Sequence, residues 1–458
     1  MAAGQGTRMR SARPKVLHTL AGQPLLQHVL TTAALLQPRQ LVVVVGHQGE
    51  QVQAHLTQHA PQARSVWQNP PQGTGHAVQQ AVPELANDGV VLVLSGDVPL
   101  IDPPSLRALC AAAGTGSLAL LTLQLSEPTG YGRIVRQGNA VVGIVEEKDA
   151  TPAQRSLPEV YTGVLAAPAA GLKRWLACLT NDNAQGEYYL TDVVAHAVAQ
   201  GCAVHTVVAP HAASVAGVNT PQQLAQLERA VQQRRAEALM AAGVQLVDPA
   251  RLDVRGSLQC GQDVRIDVNC VFEGDVVLGD GVHIGAHCVL RHAEVAPGAQ
   301  LLPYTLVEGE AGQPVIIGPA ARVGPYARLR PGTTLGADVH VGNFVEIKAS
   351  NLGAGAKANH LAYVGDASVG QRVNVGAGTI VANYDGANKH RTTIEDDVHV
   401  GSNSVLVAPL TVGAGGTVGA GSAITKNTAP GALTVARAKP VSVPNWQRPT
   451  KPPKTPPK

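Results

Sequence analysis

Two different rhythms of apolar residues divide the chain near residue 220. Before that point, short continuous apolar runs alternate with stretches whose apolar positions recur at helical spacing. "QLVVVVGH" (40–47) and "GVVLVLSGDVPL" (89–100) read as strands buried on both faces, because they are continuous rather than alternating. "GEQVQAHLTQHA" between them reads as a helix, and further strands are expected at "SLALLTLQL" and "AVVGIVEE". This predicts an α/β domain with a mainly parallel sheet. Ligands of such sheets bind at the carboxyl ends of the strands, where "SGD" (95–97) falls. "TPQQLAQLERAVQQRRAEALMAAG" (220–243) has Pro in its first turn, Leu224, Leu227, Val231 and Leu239 near one face, and a closing Gly. It predicts one long helix joining the halves.

Beyond residue 262 the period becomes six. Ile266, Phe272, Leu278, Ile284 and Leu290 keep that step, as do Ile317, Val323, Leu329, Leu335, Val341 and Ile347. Ile394, Val400, Leu406, Val412, Val418 and Ile424 form a third run. Most of these aliphatic residues are followed by Gly, as in Leu278-Gly279 and Val400-Gly401. A sixfold aliphatic repeat predicts a parallel β-helix, each unit supplying a short strand and a corner. The segment "NVGAGTIVANYDGANKH" (374–390) interrupts the step, and a loop leaving a solenoid is a usual place for binding.

Composition sharpens this picture. Aromatic residues make up only 3% of the 458, with Phe 2, which suits narrow coils filled by Val and Ile. Gly 49 and Pro 32 fit many regular turns. A net charge of +3 is too weak to argue for a nucleic-acid partner. The six cysteines form no CxxC pair, which points to reduced thiols in a cytoplasm. No apolar run approaches the ~20 residues of a membrane span, and no signal peptide is evident, so a soluble protein without a membrane partner is expected. The tail "RPTKPPKTPPK" is expected to be disordered.

The candidate chemistry begins at the first residue. In "MAAGQGTRMRSARPK", Ala2, Ala3, Gly4, Gly6 and Thr7 make a loop whose main chain can approach phosphates, and Arg8 and Lys15 add charge. Such loops normally hang from the end of a buried strand.

The loop "AAGQGTRM…PK", followed in order by "QGTGHA", "GDVPL", "GYGRI" and the hexapeptide repeats, resembles one bacterial family over nearly the whole chain. That family fuses N-acetylglucosamine-1-phosphate uridyltransferase to glucosamine-1-phosphate N-acetyltransferase and makes UDP-N-acetylglucosamine. The resemblance implies a Rossmann-like nucleotidyltransferase domain over 1–218, a linker helix over 219–243, a left-handed parallel β-helix over 244–440 and a tail over 441–458. Magnesium, acetyl-CoA and UTP are the implied cofactor and co-substrates, and a homotrimer with acetyl sites between subunits is the implied assembly.

Residue roles follow from the same resemblance. Arg8 and Lys15 are similar to the family's phosphate-stabilising residues, and Gln68, Gly73 and Thr74 to those that read the uracil. Ala2, Ala3, Gly4 and Gly96 match other nucleotide-sugar positions, Ser95 and Tyr161 occupy two more with different residues, Gly132 and Glu146 match the sugar-holding ones, and Asp97 with Asn219 the magnesium pair. In the second half His360 matches the general base, a role for which histidine suits the pH range. Arg330, Lys348, Tyr363 and Asn374 match the amino-sugar-phosphate site. Ala377, Asn383, Tyr384, Ser402, Ala420 and Arg437 match the acetyl-CoA groove.

Family members carry a hydrophobic strand before the first loop, so a chain starting at Met1 is expected to lack it and to have a weakened uridyltransferase half. Ser95 stands where relatives usually have Tyr, and Tyr161 where they usually have Asn. The alternatives are a chain with one active half, a purely structural scaffold, and a zinc hydratase drawing on His283, His287, His292, His340 and His360.

Overall fold

The computed structural model describes residues 1–450 and divides into two units, Met1–Ala238 with Asp253–Gly256, and Leu239–Leu252 with the chain from Ser257 onward. Of the expected disordered tail, 451–458 lie outside the described residues; 441–450 is exposed and has neither helix nor strand. Among the described residues no helix is long and apolar enough to cross a membrane.

In the first unit the continuous apolar runs become strands Val42–Val45, Val90–Val93, Leu118–Gln124 and Ala140–Val145. The helical pattern between the first two becomes the helix Gly49–His59, which buries Val52 and Leu56. The sheet is mixed rather than mainly parallel. Its long strand Glu159–Pro168 runs antiparallel to Val90–Val93, Leu118–Gln124 and Gly132–Gln137. Gly132–Gln137 and Ala140–Val145 form a hairpin, closed at Gly138, whose φ of +61° suits the two-residue turn. Parallel pairing remains between Leu118–Gln124 and Val204–Val208, and between Val42–Val45 and Arg64–Trp67.

Met1 and Ala2 lie between two strand ends. The Ala2 N–H donates to Val44 O at 2.7 Å, Gly96 N–H donates to Met1 O at 2.8 Å, and the Met1 ammonium donates to Leu94 O at 2.7 Å. Burial pulls that ammonium's pKa down to about 6. Beside Met1 is a cavity of about 920 Å³ whose lining includes Val42, Val44, Val91 and Val93. The Val90–Val93 strand is therefore not buried on both faces: Val93 is buried, but Val90 is exposed.

The helix predicted near 220–243 spans Pro221–Ala241. Through Ala238 it belongs to the first unit, where Leu227 and Val231 join Met9, Leu20, Leu25 and Val218 in one apolar cluster, and its last residues, 239–241, belong to the second.

The second unit is a stack of short parallel strands. Ile266 lies beside Ile284 and Val323 beside Val341, so one coil takes three six-residue steps. Every aliphatic residue of the three sixfold runs is buried. Each contributes on the order of 1.5–3 kcal/mol by leaving water. Phe272 is fully buried, while Phe344 stands on an exposed corner. Between Val375 and Val400 the chain adds strands Ile380–Ala382 and Thr392–Ile394 to the stack, and between those two it inserts a loop in which Tyr384 and Lys389 pair.

Candidate functional sites

In the first unit the opening loop is shaped by two constraints. Gly6 has a φ of +62°, and a Cβ there would stand 2.8 Å from Lys15 Cβ, so glycine lets the loop close onto Lys15. Met9, buried at the end of the short turn Thr7–Met9, anchors the other side. The loop lines a cavity of about 690 Å³. There the structure brings together Ala2, Ala3, Gly4, Arg8, Lys15, Gln68, Gly73, Thr74, Ser95, Asp97 and Asn219.

The Lys15 ammonium forms a short ion pair with Asp97 Oδ2 and donates to Asn219 Oδ1 at 3.0 Å. Val218 N–H donates to Asp97 O at 2.9 Å and pins the two oxygen-bearing segments to each other. A carboxylate and an amide oxygen thus converge on one cation, a donor set that fits a hard divalent ion completed by phosphate and water.

Gln68 is buried, and its amide N–H donates to Gly73 O at 2.9 Å, leaving Oε1 as an acceptor. Gly73 has a φ of +103°, and a Cβ there would meet Tyr188 O at 2.6 Å. Thr74 opens the helix Thr74–Ala81, and its hydroxyl accepts from Leu190 N–H at 3.1 Å.

Gly96 is held by Met1 O, while Gly132, Glu146 and Tyr161 form a neighbouring cluster outside the cavity lining. Gly132 pairs with Tyr161 across the sheet, and Glu146 Oε2 lies 3.5 Å from where a Gly132 Cβ would be. Glu146 accepts from the Thr191 hydroxyl at 3.0 Å. Burial raises its pKa above the ordinary value, with that bond opposing the shift. Burial, and then the Glu146 charge, raises the Tyr161 phenol; its hydroxyl has no hydrogen-bond partner among the described residues.

The second site is built by stacking. Parallel register pairs Asn343 with His360, Ala358 with Val375, Val375 with Val400 and Val400 with Val418. Asn343, His360, Ala377, Ser402 and Ala420 therefore stand one above another, about 4.8 Å apart. Leu361 N–H to Asn343 O (3.1 Å), Gly378 N–H to His360 O (3.3 Å), Asn403 N–H to Ala377 O (2.7 Å) and Gly421 N–H to Ser402 O (2.8 Å) hold the line. At its end Arg437 donates to Ala420 O at 2.6 Å.

Around the corner from His360 lie Tyr363 and the charged residues. Arg330 donates to Glu346 Oε1 at 2.9 Å, and Lys348 is 3.6 Å from Asp366 Oδ2. Asn383 donates to the Tyr363 hydroxyl at 3.4 Å and makes a short bond to Asp366. Tyr384 is exposed on the inserted loop, where its hydroxyl donates to Gly386 O at 2.6 Å. Asn374 does not join the group: it is in register with Lys357 and His399, three residues back from Ala377, or roughly 10 Å along the strand.

Several residues at these sites were assigned no role from the sequence. Lys148, Gln185 and Glu187 line the first cavity, with Lys148 donating to Gln185 Oε1 at 2.7 Å. At the second site they are Asn343, Glu346, Asp366 and Lys389, whose ammonium is held below the usual lysine value by neighbouring Lys348. Only the step from one coil to the next could have found Asn343. Among the described residues no three His, Cys, Asp or Glu side chains converge as metal ligands, so the hydratase alternative finds no site among them.

The two architectures both have counterparts among known proteins. The family model of the MobA-like NTP transferase domain matches residues 1–247, and that of the bacterial transferase hexapeptide matches 258–292 and 314–349. "Bifunctional protein GlmU" of Albidiferax ferrireducens is 62% identical over 461 residues, covering 98% of this chain and 99% of that protein. The protein of the same name from Paracidovorax citrulli is 62% identical, covering 99% and 98%, and that of Methylibium petroleiphilum is 61% identical, covering 98% of each. With both domains matched in order and relatives aligned end to end, the chain belongs to the family of bifunctional GlmU proteins.

Proposed function

We propose that the two sites divide the synthesis of UDP-N-acetylglucosamine between them, the His360 site acetylating the amino sugar and the Lys15–Asp97 site attaching the nucleotide. The chain carries both activities of its family, acetyl transfer to glucosamine-1-phosphate and uridylyl transfer to N-acetylglucosamine-1-phosphate. Its co-substrates are acetyl-CoA and UTP.

In acetyl transfer the sugar amine attacks the thioester carbonyl while His360 Nε2 takes its proton, and the proton then goes to the leaving CoA thiolate. Arg330, Lys348 and Tyr363 hold the sugar phosphate, the guanidinium by a forked contact. Above His360, Ala377, Ser402 and Ala420 leave a track of small side chains for the thin arm of CoA, flanked by Asn383, Tyr384 and Arg437. The stacking of His360 with Ala377, Ser402 and Ala420 is the observation that carries this assignment.

In uridylyl transfer an oxygen of the sugar phosphate attacks the α-phosphorus of UTP, and the bond to pyrophosphate breaks. Arg8, Lys15 and the main chain of residues 2–4 neutralise and orient the phosphates. Gln68 Oε1, Gly73 and Thr74 bind the uracil, and Ser95, Gly96, Gly132, Glu146 and Tyr161 the sugars. Asp97 and Asn219 would hold magnesium, which supplies charge neutralisation on the phosphates.

The assembly proposed is a cytoplasmic homotrimer. The distance of Asn374 from His360 within one chain supports it, since a second copy could bring its own Asn374 to the His360 corner. Assaying the two half-reactions on His360→Ala and Asp97→Ala tests the division. Each substitution is expected to remove one product and spare the other.

A further inference from the structure

The proposed base His360 is exposed, and an imidazole works as a base through one nitrogen only when the proton is kept on the other. On the coil beneath it lies Asn343, the last residue of the strand His340–Asn343, in parallel register with His360 at the end of Lys357–His360. Asn343 Oδ1 is 2.8 Å from His360 Nδ1.

The backbone fixes this approach. Phe344 and Leu361, the residues that follow, both turn the corner with left-handed φ of +56° and +51°. Bulky side chains seldom adopt this conformation. Leu361 N–H donates to Asn343 O at 3.1 Å, and Phe344 N–H donates to Tyr326 O at 3.1 Å. Two successive coils therefore repeat one corner, and the side chains just before it meet.

We infer that Asn343 is the positioning residue of the acetyltransferase base. An amide oxygen can only accept, so it holds a proton on Nδ1 and leaves the Nε2 lone pair for the substrate amine. Asn343 also stops the exposed ring from rotating away. Turning the amide over would offer its N–H₂ to Nδ1 and force the proton onto Nε2, the inactive tautomer. This inference rests on the assignment of His360 as the base, and the experiment separates the two.

In the full-length protein, Asn343→Ala is expected to lower kcat of acetyl transfer by about 10- to 100-fold, the range for losing a group that orients a working imidazole. KM for glucosamine-1-phosphate is expected to stay within about twofold, because no binding contact is removed. Asn343→Asp, which can only accept, is expected to restore most of kcat. Uridylyl transfer by the same preparations reports the integrity of the chain. Nitrogen-15 resonances of His360 in the unsubstituted protein, identified by their absence in His360→Gln, are expected to show the neutral ring protonated on Nδ1.

Wild-type kcat in Asn343→Ala, or a ring protonated on Nε2, overturns the inference about Asn343 while leaving His360 as the base. Full acetyl transfer by His360→Ala overturns the assignment beneath it.

Discussion

The two sites of this chain are assembled by opposite means. In the first unit, functional groups come from positions as far apart as Lys15 and Asn219 and converge because loops leave the ends of different strands. In the second, Asn343, His360, Ala377, Ser402 and Ala420 converge because a repeat places successive residues on one line. A converging site makes a cavity and can surround a nucleotide. A stacked site lies on the outer face of a solenoid and stays open. A repeat thus supplies alignment without enclosure.

The sharpest way to break this comparison is to remove His360. His360→Ala is expected to lower acetyl transfer by about 10²- to 10⁴-fold, the usual contribution of a general base, with uridylyl transfer unchanged. A parallel loss of both products would show that the sites are not separate.

Asp97→Ala is expected to lower uridylyl transfer by roughly 10²- to 10³-fold through lost phosphate stabilisation. Chelation of divalent cations should likewise stop that half-reaction and spare the other. Persistence of uridylyl transfer in chelator would remove magnesium from the scheme.

Next in size are effects on packing. Phe272→Ala empties the largest apolar side chain in the coil interior and is expected to cost about 3–5 kcal/mol, read as a lower unfolding midpoint for the β-helix unit. Ala377→Leu crowds the small-residue track by about 1–3 kcal/mol. KM for acetyl-CoA should rise roughly tenfold, with KM for glucosamine-1-phosphate unchanged. An equal rise for both substrates would take Ala377 out of the cofactor track.

The smallest effect concerns Glu146. Burial raises its pKa, so the folded state resists its ionisation, and the first unit loses stability as pH rises from the ordinary carboxyl value through the raised one. Glu146→Gln should remove the contribution of Glu146 to that slope. Denaturation midpoints followed across this window should decline more with pH in the unsubstituted protein than in the variant. Equal slopes would place the source elsewhere.

Legibility in the sequence followed the same division. The sixfold runs identify the buried residues of the second unit because each coil repeats one simple steric demand. In the first unit the apolar runs locate strands but not their directions. "SLALLTLQL" pairs parallel on one side and antiparallel on the other, which depends on where Glu159–Pro168 inserts. Gln68 was given by the family resemblance alone, while motifs reached Lys15 and Asp97, since close approach to phosphate demands glycine and charge at short spacing. They missed Lys148, Asn343 and Asp366, whose significance lies in a neighbour on another strand or coil.

By itself, then, the sequence determined the two architectures, the buried aliphatic positions and the residue types each reaction needs, because these rest on local periodicity and on chemistry carried by single side chains. Tertiary structure alone decided that the Lys15 ammonium gathers the oxygens of Asp97 and Asn219, and that Asn343 meets Nδ1 of His360. Such meetings depend on strand order and coil register, which hydrogen bonding between distant segments settles and no local pattern encodes.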